Sequence, residues 1–238
     1  MKFNDLTIIT ITFNNEKELL YTMSYINPFI DLGAKSVIIN GGNKLKKNIF
    51  HNNCTLIQEK DRGIFDALNK GMTYVKTKFF MKVHSGDKLI INEFKLSQIL
   101  NKMKSDNFDL AIGNQLIPFK GFKRKHSSYF WRPLLLNFGV QPPHMPTIYD
   151  KNFVSNLKYD YKNTVIADFF FFKDLFANKP KWFDSKEYLI EMGPGGNTTS
   201  GFGSILLVSK ELIKNYGILK GIFISAARLP FKILQAIK

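Results

Sequence analysis

Apolar positions in the first half of the chain alternate between two periods, and the alternation predicts strands and helices in turn. Residues 6–13 are a β-branched run without charge, the pattern of a buried strand. Residues 16–26 then switch to helical spacing through Leu19, Leu20, Met23 and Ile26. Short apolar runs at 37–39 and 55–57 predict two more strands, the first of them closed by Asn40-Gly41-Gly42-Asn43. A helix is expected over 63–75, with Ile64, Leu68 and Met72 on one face, then a strand over 79–83, a helix over 94–103 and a strand over 108–112. This βαβα order makes a mostly parallel sheet with helices on both faces, and its ligands collect at the carboxyl ends of the strands.

After about Asn114 the rhythm changes. Pro118, Pro133, Pro142, Pro143 and Pro146 punctuate a basic and aromatic region, which predicts irregular structure laid over the sheet. Helical spacing returns over 165–176, where Phe169, Phe172 and Phe176 share a face. A glycine-rich loop follows at 193–201, then one long apolar and basic helix from about Ser204, which Pro230 is expected to kink or break. No internal repeat is present.

Composition narrows the classes. With 238 residues, 45% of them apolar, the chain can bury one good core, and nothing forces a split into independent domains. The single cysteine, Cys54, cannot form an internal disulfide; it reads as a small apolar filler in a protein of a reducing compartment. The first residues lack a secretory signal, and no segment approaches the roughly 20 apolar residues that span a bilayer, so a cytoplasmic protein is expected. The excess of 34 Lys and Arg over 19 Asp and Glu, +15 in all, attracts polyanions or an anionic membrane face. Most of the 23 Phe lie inside periodic apolar runs and not beside basic residues on one element, so nucleic acid is not the expected partner. The lack of a His-Glu-x-x-His pattern or a cysteine cluster argues against zinc.

Candidate chemistry concentrates in Asp61-Arg62-Gly63-Ile64-Phe65-Asp66-Ala67-Leu68-Asn69-Lys70-Gly71 and in Ser85-Gly86-Asp87. A polar, glycine-hinged helix start lies just before a buried strand that ends in an acidic turn. That layout suits a phosphorylated nucleotide and its metal.

These two motifs, together with Thr10-Ile11-Thr12-Phe13-Asn14-Asn15, Asn40-Gly41-Gly42-Asn43, Ala167-Asp168-Phe169 and Gly195-Gly196, occur in an order that resembles bacterial family 2 glycosyltransferases of the GT-A fold. The similarity is closest to the small enzymes that build colanic acid, capsule and O-antigen repeat units, and it covers roughly residues 5–205. It implies an α/β GT-A fold with a mostly parallel central sheet flanked by helices. The expected division is a Rossmann-like nucleotide-binding half at 1–113, an acceptor and catalytic half at 114–204, and a basic amphipathic helical tail at 205–238. The implied activity is inverting transfer of a hexosyl or N-acetylhexosaminyl group from a UDP-sugar or similar donor to a lipid-linked or growing surface glycan.

The resemblance also assigns roles. Thr12, Phe13 and Asn14 surround the base and ribose; Asn40, Asp61, Asn69, Lys70, Ser85 and Gly86 belong to the donor site. Asp87 matches the last carboxylate of the metal motif, for Mn2+ or Mg2+, with Ser85 standing where the fuller motif has an acid. Asp168 matches the general base, and His144 lies on the acceptor side, with Met145 in place of the usual amide. Asn40 departs from the usual Asp; its amide brings a donor and no charge. Basic residues from Lys214 to Lys238 among Ile, Leu and Phe suit a helix on the inner-membrane surface, so a peripheral position on its cytoplasmic face is expected. Two alternatives stand beside transfer: a nucleotide-sugar-binding or scaffold protein on the same fold without turnover, and, more weakly, a basic RNA-associated protein.

Overall fold

The computed structural model describes residues 2–119, 121–162, 165–193 and 201–237. Its first half follows the alternation closely: β1 (Leu6–Thr12), α1 (Glu16–Asp31), β2 (Lys35–Asn40), β3 (Cys54–Gln58), α2 (Ile64–Thr73), β4 (Phe79–Lys82), the two-residue β5 (Lys88–Leu89) and α3 (Glu93–Ser105). The second half contains β6 (Leu110–Phe119), β7 (Phe122–His126), β8 (Thr147–Asp150), α4 (Ala167–Ala177), β9 (Trp182–Glu191), α5 (Gly201–Tyr216) and α6 (Ile218–Ile237). Among the described residues the strands form one sheet in the order β3-β2-β1-β4-β8-β6-β9-β5, with β7 hairpinned onto β6.

Strands β3, β2, β1 and β4 are parallel, so all four end on the same edge. Strand β8 enters antiparallel between β4 and β6, and β9 then pairs parallel with β6. Two antiparallel steps restore the direction: β6 and β9 run with β4 and finish on the edge where β1 to β4 finish.

The core has two faces because side chains alternate along a strand. Ile8, Ile38 and Met81 face Leu19, Met23 and Ile26 of α1 and Leu96, Ile99 and Met103 of α3. Their neighbours Ile9, Ile39 and Phe80 face Phe65 and Leu68 of α2 and Phe171, Phe172 and Leu175 of α4. Helix α3 begins at Asn92, whose side chain accepts a hydrogen bond from Lys95 N–H at 2.9 Å and so occupies an otherwise unpaired first-turn donor.

Two expectations change. The region after Asn114 is more regular than its prolines suggest: β6 runs on to Phe119 and pairs with β7, and Pro133–Phe138 forms a short 3-10 helix ended by left-handed Gly139. Pro118 sits in β6 and Pro133 at a helix start, positions that tolerate a missing N–H. The single helix expected from Ser204 is two helices, and the break falls at Gly217 (φ 81°), while Pro230 lies inside α6. Val208, Leu212 and Ile224 of this pair are buried in the same cluster as Trp131 and Leu136. Among the described residues no helix is long and apolar enough to cross a membrane.

Candidate active site

The shared strand edge gathers the sequence motifs. Thr12, at the end of β1, pairs with Asn40 at the end of β2, and Asn40 pairs with Gln58 at the end of β3. Beyond these ends the chain turns tightly. Asn14 adopts a left-handed conformation (φ 54°), which asparagine tolerates, and its Oδ1 accepts from Asn43 N–H at 2.8 Å. The Asp61 carboxylate accepts from Gly63 N–H at 2.9 Å and lies so close to Gly41 that any side chain there would collide with it. Thr12, Phe13, Asn14, Asn40 and Asp61 therefore form one continuous rim. Phe13 stands 63% exposed on it, an aromatic face open to solvent.

Asn40 is buried and internally committed. Its Oδ1 accepts from Gly42 N–H at 3.0 Å, and its Nδ2 donates to Asn43 O at 2.7 Å and to Gln58 Oε1 at 3.3 Å. It shapes the 41–43 turn from within. Asn69 and Lys70 are internally paired as well. Asn69 exchanges two 2.8 Å hydrogen bonds with the backbone of Tyr159, and Lys70 donates to Lys60 O while lying near Glu59 and Asp66.

The turn after β4 carries Ser85, Gly86 and Asp87. Ser85 N–H donates to Ile11 O at 3.2 Å, which seats the turn beside the end of β1. Thr22 of α1, fully buried, clamps it: the hydroxyl accepts from Gly86 N–H and donates to Asp87 O, both at 2.8 Å. The Asp87 carboxylate accepts from Gly193 N–H at 2.8 Å and from His84 N–H at 3.3 Å. Burial pushes its pKa up to about 6 against the pull of those two N–H groups. Each oxygen receives one hydrogen bond and keeps lone-pair capacity. Among the described residues no cluster of three or more His, Cys, Asp or Glu could hold a metal alone. The donor set fits a hard cation that keeps waters and takes its other ligands from a diphosphate.

Asp168 lies in the first turn of α4, its side chain half-buried. Its Oδ2 accepts from Gln141 Nε2 at 2.5 Å and lies 4.0 Å from His144 Nε2, while Oδ1 accepts from Phe169 N–H. Burial raises its pKa, opposed by Gln141, the Phe169 N–H, Lys82 and Arg228. His144 is held neutral, its pKa driven down to about 3 by burial and by the nearby Lys82 charge. His84 is likewise neutral through burial, with His144 and Lys82 adding to the effect; neither of its ring nitrogens has a hydrogen-bond partner.

Lys82 is the residue that sequence reasoning passed over. It ends β4 fully buried, donates to Tyr149 Oη at 3.1 Å and Tyr159 Oη at 2.5 Å, and sits over the rings of Tyr149, Tyr159 and Phe171. Burial lowers its pKa to about 7, and Asp168 acts in the opposite direction. A lysine inside the otherwise apolar 79–83 run was its available signal. Gln141, Thr22 and the Gly193 amide left no comparable trace. The glycine-rich loop at 195–200 lies outside the described residues.

No protein-family model matches the chain, and no curated protein is similar to it in sequence. Solved structures are similar in fold. Residues 1–349 of S. aureus TarS superpose with a TM-score of 0.67 at 13% identity over 97% of this chain and 72% of that one. In a longer TarS structure, this chain spans only 40% of the length. A mannosyltransferase from Pyrobaculum calidifontis, in complex with GDP-Man and Mn2+, gives 0.61 at 10% identity over 98% and 73% of the two chains. Glucosyl-3-phosphoglycerate synthase from Mycobacterium tuberculosis, with Mn2+, UDP and phosphoglyceric acid, gives 0.60 at 12% identity over 90% and 79%. The fold is that of GT-A glycosyltransferases, as the motif order implied.

Two substitutions test the buried supports. Thr22→Val keeps the shape but removes the hydroxyl's bonds to Gly86 N–H and Asp87 O, leaving Gly86 N–H only a long 3.3 Å bond to Glu18 O, and is expected to cost about 1–3 kcal/mol in chemical denaturation. Lys82→Met removes a buried ammonium. Because the folded pKa is near 7 and the ordinary value is 10.5, the cost of burying Lys82 is full below pH 7 and fades as pH rises toward 10.5. The variant is expected to be more stable than wild type by about 1–4 kcal/mol at pH 6, with the advantage shrinking by pH 9. An advantage that grows with pH contradicts this account.

Proposed function

We propose that the chain is an inverting glycosyltransferase that moves a sugar from a UDP-sugar donor to a lipid-linked or growing surface glycan. One observation carries the reading: the ends of β1, β2, β3 and β4 bring Asn14, Gly41, Asp61 and Asp87 to one edge, with the half-buried Asp168 at the start of α4. Two of the solved structures named above, the mannosyltransferase with GDP-Man and Mn2+ and the synthase with UDP and Mn2+, share the fold and support it.

In this reading exposed Phe13 and Asn14 border the nucleoside, and Asp61 with the 41–43 turn closes its far side. Since Asn40 is spent on that turn, the base is read by the rim around it. Ser85, Gly86 and Asp87 meet the diphosphate, and Asp87 is the protein's carboxylate for Mn2+ or Mg2+. When bound, the cation stabilises charge on the departing diphosphate. Asp168 Oδ2 takes the proton of the acceptor hydroxyl as that oxygen attacks the anomeric carbon from the face opposite the diphosphate. Gln141 orients the carboxylate, and neutral His144 borders the acceptor. Its burial makes Asp168 a stronger base than an exposed aspartate. The α5–α6 pair, with Ile218, Leu219, Ile222 and Phe223 exposed beside Lys214 and Lys220, suits a peripheral seat on an anionic bilayer.

A second reading, a nucleotide-sugar-binding protein without turnover, draws on the committed Asn40 side chain and the single metal carboxylate. Transfer assays with a panel of nucleotide sugars and Mn2+ separate the two, since binding without transfer or donor hydrolysis favours the second. Asp168→Asn is expected to lower kcat by about 10²–10⁴ while leaving UDP affinity unchanged. Activity should rise with pH through the Asp168 pKa, giving an acid limb above the ordinary carboxylate range. Metal-dependent UDP binding should weaken as pH falls through about 6, where Asp87 takes up its proton, and Asp87→Ala should remove the metal dependence. UDP binding indifferent to Mn2+ and Mg2+ at every pH would count against this role for Asp87.

A further inference from the structure

A cavity of about 140 Å³ lies next to Asp168, between the sheet edge and the α5–α6 pair. Gln115 of β6, Arg124 of β7, Gln141, His144, Asp168 and Arg228 of α6 supply much of its polar lining. Several of these groups are unsatisfied: Arg124 Nε, Gln115 Oε1, Gln141 Oε1 and His144 Nδ1 are buried without a hydrogen-bond partner. Among the described residues neither arginine makes a salt bridge, although burial pushes both guanidinium pKa values down. The two cations face a single carboxylate, Asp168, whose own charge burial disfavours. His144 is neutral, so it adds no charge.

Partly desolvated guanidinium groups without an anion in direct contact are costly, and an oxyanion with several lone pairs is the ligand that relieves the cost. The backbone is shaped to let Arg228 in. Gly139 has φ 70°, and a Cβ there would meet Arg228 Cδ at 2.6 Å. The cavity has room for several waters or for one anionic group on a sugar or its linker.

We propose that this cavity is an anion subsite in which Arg124 and Arg228 hold a phosphoryl or carboxylate group of the acceptor, placing the acceptor hydroxyl against Asp168. The subsite deepens the glycosyl-transfer reading and rests on it for the word acceptor, but its anion chemistry can be tested separately. Gln115 and Gln141 border the anion, and Asp168 repels it from the proton-accepting side, which leaves the neutral hydroxyl as the group that approaches the base.

The test is calorimetric titration of the full chain, first with UDP and Mg2+, then, with the donor site filled by UDP, with glycerol phosphate, methyl glucuronoside or neutral methyl glucoside. The expected result is millimolar binding of at least one anion, no binding of the neutral sugar, and at least a fivefold loss in Arg124→Gln and in Arg228→Gln. Unchanged UDP affinity shows that each variant is folded; a variant that loses it is replaced by the Arg→Lys form, expected to keep part of the anion affinity. Preference for glycerol phosphate assigns a phosphorylated acceptor, and preference for the glucuronoside an acidic sugar. The inference is overturned if neither anion binds, or if binding is indifferent to both arginines. Absence of UDP binding with arginine-dependent anion binding intact would instead sink the donor reading and leave the anion site standing.

Discussion

The Asp87 carboxylate joins the two halves of the sheet at the point where they must work together. It follows β4, the last strand of the parallel block, and accepts a hydrogen bond from Gly193 N–H just past β9 on the other side of the antiparallel insertion. Its other oxygen accepts from its own turn, at His84 N–H. A buried carboxylate without these donors would be driven further toward neutrality, while β5, directly after the turn, ties it to β9 by strand pairing as well. The Thr22 clamp and the seating of Ser85 on Ile11 keep the same turn level with the β1 and β2 ends. This junction and the β5–β9 pairing hold the two halves together at that edge.

Electrostatics behind the edge follow from burial. Lys82, His84 and His144 are cationic or potentially cationic side chains withdrawn from water, and burial holds all three below their ordinary pKa values. The neutrality of the two histidines leaves Lys82 as the one of the three whose charge can hold Asp168 ionised. Lys82, in its aromatic box of Tyr149, Tyr159 and Phe171, is the group among them that titrates nearest neutrality. Its protonation state and that of Asp168 are coupled through the field each exerts on the other.

The parallel half was legible because its physics is local. The uncharged run at 6–13 and the otherwise apolar run at 79–83 match β1 and β4, which are buried on both faces, and the 3.6-period pattern at 16–26 matches α1, which buries one. Strands β5, β7, β8 and β9 were not anticipated. Strand β9 carries Asp184, Ser185, Lys186 and Glu187 and draws its stability from pairing with β6, a contact distant in sequence. The helical break at Gly217 was obscured by Pro230, because a proline tolerated inside a helix and a glycine that ends one are separated by tertiary packing. In the site, Asp61, Asp87 and Asp168 were readable as motif members. That Asn69 and Lys70 serve Tyr159 and Lys60 was not, because the partners lie far along the chain or on backbone atoms. Gln141, Arg124 and Arg228 gain significance only when separate elements fold around one cavity, and Lys82 only when β8 and α4 close its aromatic box.

The most direct test of the central claim, that the strand ends converge on one nucleotide–metal site, is paramagnetic broadening of backbone amide resonances by Mn2+ with UDP. The account predicts broadening at Asn14, Gly41 to Asn43, Asp61 to Gly63 and Ser85 to Asp87 together, reversed by excess Mg2+–UDP. Broadening confined to other surfaces, or divided between the Asp61 turn and the Asp87 turn with different affinities, would contradict it.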